Sequence, residues 1–167
     1  MKKIFDLRDL MLEQLRDLYH GEAHVLKELY DVPEKITDES LRNLVRQYVV
    51  MHEDQILRLR QVFELQFEQK RGEFARPIRA MVEDIHDLVR RCEDTEVLDA
   101  SLIVALQHII HYKIAGYGAV CTYAKQLGFL DEAVILHTNL EEEKKYDRKL
   151  AMVADATINR KAISPQV

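Results

Sequence analysis

Residues 103–120 read Ile103-Val-Ala-Leu-Gln-His-Ile-Ile-His-Tyr-Lys-Ile-Ala-Gly-Tyr-Gly-Ala-Val120. Positions 103, 106, 110, 113, 117 and 120 recur at spacings of three and four. In an α-helix they form a single stripe, and that stripe is Ile, Leu, Ile, Lys, Tyr and Val. Lys113 therefore places a charge in the middle of a face that is otherwise built for a core. The same period continues outward from about Val97 to Leu127. Gly128 then offers a C-terminal cap, a position that favours a residue free to adopt positive φ.

Three more long patterns flank this one. Phe5–Tyr30 places Met11, Leu15, Leu18, Val25 and Leu29 on one stripe, and Pro33 interrupts it. Thr37-Asp38-Glu39-Ser40 offers capping side chains ahead of Leu41, Val45, Val49, Ile56, Leu59 and Phe63, a pattern reaching about Gln69. Lys70-Arg71-Gly72-Glu73 breaks it. Pro77 then suits the first turn of a shorter piece holding Ile78, Met81, Val82, Ile85, Leu88 and Val89. After Gly128 a last pattern runs from Leu130 to about Arg160 with Leu136, Leu140, Leu150 and Ala154 on its stripe. Two helical hairpins joined by a connection that contains a short helix predict an all-α fold, a ferritin-like four-helix bundle with an extra short crossover helix. The domain is expected to span 1–160, with 161–167 a frayed C-terminal tail.

Composition agrees. A chain of 167 residues has the length of one domain, and five Gly, three Pro and no Trp leave long runs of helix formers. A net charge of −5 with no dense basic block argues against a nucleic-acid surface. No apolar stretch is read as reaching the ~20 residues of a membrane span, and no export signal is read at the N-terminus, so a cytoplasmic protein is expected. Cys92 and Cys121 lack zinc-ligand spacing and suit reduced thiols. No Ser/His/Asp triad or phosphate-cradling loop is present.

Lys113 is not alone. Glu22 interrupts the stripe 11, 15, 18, 22, 25, 29 of the first helix; His52, with Glu53 beside it, interrupts that of the second; Glu143 and Asp147 interrupt that of the last. Lys113 and Glu143 are each fifteen residues from Gly128, so they lie level in an antiparallel hairpin. Glu22 and His52–Glu53 lie level with one another about the Pro33–Thr37 turn, to within about one helical turn of ~5.4 Å. An interior polar layer at mid-bundle follows. His20, His24, His108 and His111 are read as surface or packing residues. Tyr19, Tyr112 and Tyr117 are read as packed rings with satisfied hydroxyls. Gly116 and Gly118 point to close approach of a helix or subunit.

On Asp17-Leu-Tyr-His-Gly-Glu22, Gln55-Ile-Leu-Arg-Leu-Arg-Gln-Val62, His111-Tyr-Lys-Ile-Ala-Gly-Tyr-Gly118, Ala124-Lys-Gln-Leu-Gly128 and Leu140-Glu-Glu-Glu-Lys144 with Asp147, the chain resembles the YciF/YciE-type ferritin-like stress proteins over nearly its whole length. The resemblance implies a bacterial stress-associated homodimer and a metal-ligand pattern that this chain keeps only in part. Glu22, Glu143 and Asp147 match it. On the helix holding Leu41–Phe63 the family pattern Glu-Glu-Thr-His becomes Val50-Met51-His52-Glu53, and on the helix holding Ile103–Val120 the pattern Glu-His-Tyr-Glu becomes Ile110-His111-Tyr112-Lys113. A di-iron centre takes a Glu from each of two helices and Glu-x-x-His from each of the others, a set this chain cannot assemble. An ammonium has no lone pair to give and repels a nearby cation.

The leading expectation is a non-enzymatic member without a cofactor, its di-iron centre degenerate and replaced by a charged network in which Lys113 pairs with Glu143, Asp147 or Glu22. The alternative is a metal-binding protein or oxidoreductase in which Glu22, Glu53 and Glu143, with His52 or Asp147, hold one Fe or Mn ion. Neither nucleic acid nor membrane is an expected partner.

Overall fold

Three of the long helices begin at an aspartate whose carboxylate caps the first turn. Asp6 accepts from the Asp9 amide at 2.8 Å to start α1 (Leu7–Leu29). Asp38 accepts from the Leu41 amide at 3.1 Å to start α2 (Glu39–Leu65). Asp94 accepts from the Glu96 and Val97 amides at 2.9 Å to start α4 (Thr95–Gln126). Pro77 sits in the first turn of α3 (Arg76–Arg91), and Gly128, at φ +78°, turns the chain from α4 into α5 (Leu130–Val153). A π-turn over Ala154–Ile158 leads into α6 (Asn159–Ile163). The computed structural model describes residues 3–70 and 75–163, and no strand occurs among them. The expected break at Lys70–Glu73 lies, beyond Lys70, outside the described residues, as do residues 164–167 of the expected tail.

The four long helices pack as a ring in the order α1, α2, α5, α4. The crossover α3 lies against α1 and α4 and returns the chain to the end from which α4 starts. This is the all-α bundle with a short crossover helix expected from the sequence. The last helical path runs further than expected, to Ile163, because Ile158 is buried and Lys161 pairs with Asp38 at 2.9 Å.

A second expectation needs correcting. α4 is long and apolar enough to cross a membrane by length and composition, with a mean hydropathy of 1.2 over its most apolar window, yet half of that window is buried inside the bundle. Its apolar character reflects its neighbours, since α1, α3, α5 and α6 all pack against it.

The buried core divides in two. One apolar cluster includes Val25, Leu29, Val45, Ile110 and Leu150, and the other Leu15, Leu18, Leu59, Val120 and Leu136. Between them, at mid-height on every long helix, lies a polar layer.

Candidate functional site

Each long helix contributes its share of that layer from one inward position, and the apolar clusters on either side fix the register. Glu22 comes from α1, His52 from α2, Lys113 from α4 and Glu143 from α5, none more than 2% exposed. Lys113 Nζ lies 2.7 Å from Glu143 Oε1, 2.9 Å from Glu22 Oε2 and 3.0 Å from His52 Nε2. Gln55 Oε1 at 3.2 Å and the Tyr48 hydroxyl at 3.3 Å complete its surroundings.

An ammonium only donates, so His52 Nε2 accepts from it and the ring hydrogen is carried on Nδ1, which faces Glu22 Oε2 at 2.7 Å. That contact is short but poorly aligned: among the described residues neither His52 Nδ1 nor Glu22 Oε2 makes a well-oriented hydrogen bond. Two carboxylates against one ammonium leave the layer with an excess negative charge, and phenols spread it. The Tyr117 hydroxyl donates to Glu22 Oε1 at 2.6 Å and the Tyr48 hydroxyl to Glu143 Oε2 at 2.9 Å.

Titration follows from this packing. Burial pushes the Glu22 carboxyl up, but the Lys113 ammonium, His52 and the hydrogen bond from Tyr117 outweigh it and hold the group at about 2. Burial, then the charge of the neighbouring carboxylates, drives Tyr48 and Tyr117 well above the ordinary phenol range, so both remain donors.

Further polar groups connect the layer to the surface between α2 and α5. Asn139 donates to the Tyr117 hydroxyl at 3.1 Å, and Arg58 bonds Asn139 at 2.7 Å while forking onto both oxygens of Glu142. Gln55 accepts from Lys113 and donates to Glu142 at 3.3 Å. Tyr48, Gln55 and Asn139 were not singled out in the sequence. The signal was there: 48, 52, 55 and 59 form a second stripe on the broad buried face of α2, and Asn139 lies one turn before Glu143.

Two expected members are elsewhere. Glu53 is exposed and accepts from the Tyr30 hydroxyl at 2.6 Å, because one residue beyond His52 is ~100° further round the helix. Asp147 lies in the groove between α4 and α5, accepting from Gln107 Nε2 at 2.9 Å and facing His111 Nε2 at 3.3 Å. Lys113 thus pairs with Glu143 and Glu22 and not with Asp147. Gly116 does mark a close approach, since a Cβ there would meet Leu18 Cδ2 at 2.9 Å, whereas Gly118 has open space around it.

The donor set can be tested against a metal. Glu22, His52 and Glu143 do converge, but on a nitrogen that is itself cationic, and Glu22 Oε2 and His52 Nδ1 face each other rather than a common centre. Among the described residues no three His, Cys, Asp or Glu side chains are arranged to hold a metal ion. As arranged, the layer fits an ammonium.

The family described as "Domain of unknown function (DUF892)" matches residues 6–163. This chain belongs to the DUF892 family. Protein YciF of Escherichia coli (strain K12) is 32% identical over 157 residues, which cover 93% of this chain and 95% of that protein. The crystal structure of the E. coli stress protein YciF superposes with a TM-score of 0.89 at 30% identity, covering 93% of this chain and 99% of that one. YcfI, a putative structural protein from Rhodopseudomonas palustris, does so with a TM-score of 0.87 at 32% identity, covering 90% and 96%. The resemblance drawn from the sequence motifs and the bundle fold are both borne out.

Proposed function

We propose that this DUF892 chain is a stress-associated helical protein that acts through structure or interaction rather than catalysis. In it, the charged network around Lys113 stands where di-iron bundles of this architecture keep their metals. One observation carries the reading: Nζ of Lys113 lies 2.7 Å and 2.9 Å from carboxylates on α5 and α1, which belong to different hairpins. The E. coli relative is a stress protein and the R. palustris relative a putative structural protein, which supports the association. A cytoplasmic homodimer completes the proposal.

A rival reading keeps one Fe or Mn ion on Glu22, His52 and Glu143. Its support is the pair of buried atoms, Glu22 Oε2 and His52 Nδ1, that lack aligned hydrogen bonds. It requires Lys113 to withdraw and gains nothing from Glu53 or Asp147, which face elsewhere. Elemental analysis of the purified protein, before and after anaerobic incubation with Fe(II) and Mn(II), separates the two. The proposal predicts no stoichiometric metal. One ion per chain supports the rival, and two overturn both. Light scattering on the same sample is expected to give a dimer mass; a monomer or a many-chain cage contradicts that part.

A further inference from the structure

With seven Tyr and no Trp, tyrosine is the most easily oxidised aromatic side chain in this protein. Among the described residues four of the seven phenols donate to a carboxylate: Tyr30 to Glu53, Tyr48 to Glu143, Tyr112 to Asp17 and Tyr117 to Glu22. Such a bond matters chemically. A buried phenol that loses an electron but keeps its proton becomes an unsolvated cation, which is costly, whereas one that passes the proton to an adjacent base becomes neutral.

Tyr48 has a second distinction. Its ring stacks on that of Tyr146, with centroids 4.0 Å apart and planes 15° from parallel. The two partners are unequal, because among the described residues the buried Tyr146 hydroxyl meets no hydrogen-bond partner while that of Tyr48 has Glu143 at 2.9 Å. Lys113 Nζ, 5.2 Å from the Tyr48 ring centroid, further opposes any positive charge left on that ring. The layer around them sets two carboxylates beside one ammonium, and carboxylates favour the loss of an electron from a neighbouring ring.

We propose that the stacked pair Tyr48–Tyr146 is a one-electron donor to oxidising radicals, and that the oxidised state rests on Tyr48 because Glu143 takes its proton. The radical accepts one electron and leaves as its anion. The Tyr48 O–H bond breaks and the proton crosses the hydrogen bond to Glu143 Oε2, giving a neutral phenoxyl and a neutral carboxylic acid. Tyr146 shares the vacancy through the stack but does not retain it. This goes beyond the structural role proposed above and does not require it.

The test uses azide radicals generated by pulse radiolysis as the oxidant, with tyrosyl absorbance and freeze-trapped paramagnetic resonance as readouts. Wild type is expected to show a long-lived tyrosyl component beside the short-lived signal of surface tyrosines. Tyr48→Phe and Glu143→Gln lose the long-lived component, and Tyr146→Phe, which gives up no hydrogen bond, keeps it. A long-lived component that survives Tyr48→Phe, or that vanishes in Tyr146→Phe, overturns the proposal, as does its absence from wild type. If either of the other variants fails to fold, Tyr30→Phe, Tyr112→Phe and Tyr117→Phe, which remove the other three phenols bonded to carboxylates, decide the matter with Tyr146→Phe: all are expected to keep the signal, and its loss in any one of them overturns the proposal. Thermal unfolding of each variant reports separately on the structural role.

Discussion

A charge as buried as that of Lys113 persists only where its neighbours replace the water it has lost. Here they do so with two carboxylates, a histidine nitrogen and an amide oxygen, and the arrangement makes pH a direct probe. Glu22 is held at about 2 against an ordinary 4.5, so its contribution to stability is fully present above about 4.5 and is lost as pH falls towards 2. Unfolding free energy measured by urea titration is therefore expected to drop through that window, and the part due to this group to be missing in Glu22→Gln. Equal acid sensitivity of the two proteins would contradict the assignment. The inward residues legible in the sequence were those at the centre of a stripe, namely Glu22, His52, Lys113 and Glu143. Glu53 and Asp147 misled because they sit at the edge of a stripe, where a rotation of some tens of degrees separates core from groove, and spacing alone does not fix that rotation.

Helix boundaries followed from local chemistry. The carboxylate caps at Asp38 and Asp94, Pro77 in the first turn of α3 and positive φ at Gly128 each act within a few residues of themselves. The π-helical stretch Ala154–Ile158, whose Ala154 and Ile158 are buried, had no such mark. Asp99 shows a similar dependence on tertiary context. From α4 it accepts from the Thr37 amide at 3.0 Å, the Thr37 hydroxyl at 2.7 Å and the Asp38 amide at 2.8 Å, tying down the turn that precedes α2. Asp99→Ala is expected to cost about 1.5–3 kcal/mol in urea unfolding, as for hydrogen bonds to a charged group; an unchanged midpoint would mean that the turn holds by itself. Glycines within α4 should respond differently from one another. Gly118→Ala, with open space at its Cβ, is expected to stabilise by about 0.5–1 kcal/mol. Gly116→Ala should forfeit that gain because Leu18 is buried and in the way. Equal melting shifts for the two variants would contradict the close approach of α1 to α4.

At the scale of the molecule, the polar layer joins two hairpins that are otherwise held by two separate apolar clusters. Counting from the turns was enough to level Lys113 with Glu143, because short connections between antiparallel helices leave little freedom. It could not level one hairpin with the other, since the crossover through α3 transmits no register. What sets that register is packing on both sides of the layer and the reach of one ammonium across it. Removing the ammonium would leave Glu22 and Glu143 buried without their shared counter-charge, and breaking a buried pair in this way typically costs about 3–5 kcal/mol. The most direct measurement is therefore the unfolding free energy of Lys113→Met against wild type in metal-free buffer at neutral pH. A loss of that size is predicted, with the fold retained. A variant as stable as wild type, or more stable, would show that the Lys113 network does not hold the bundle together.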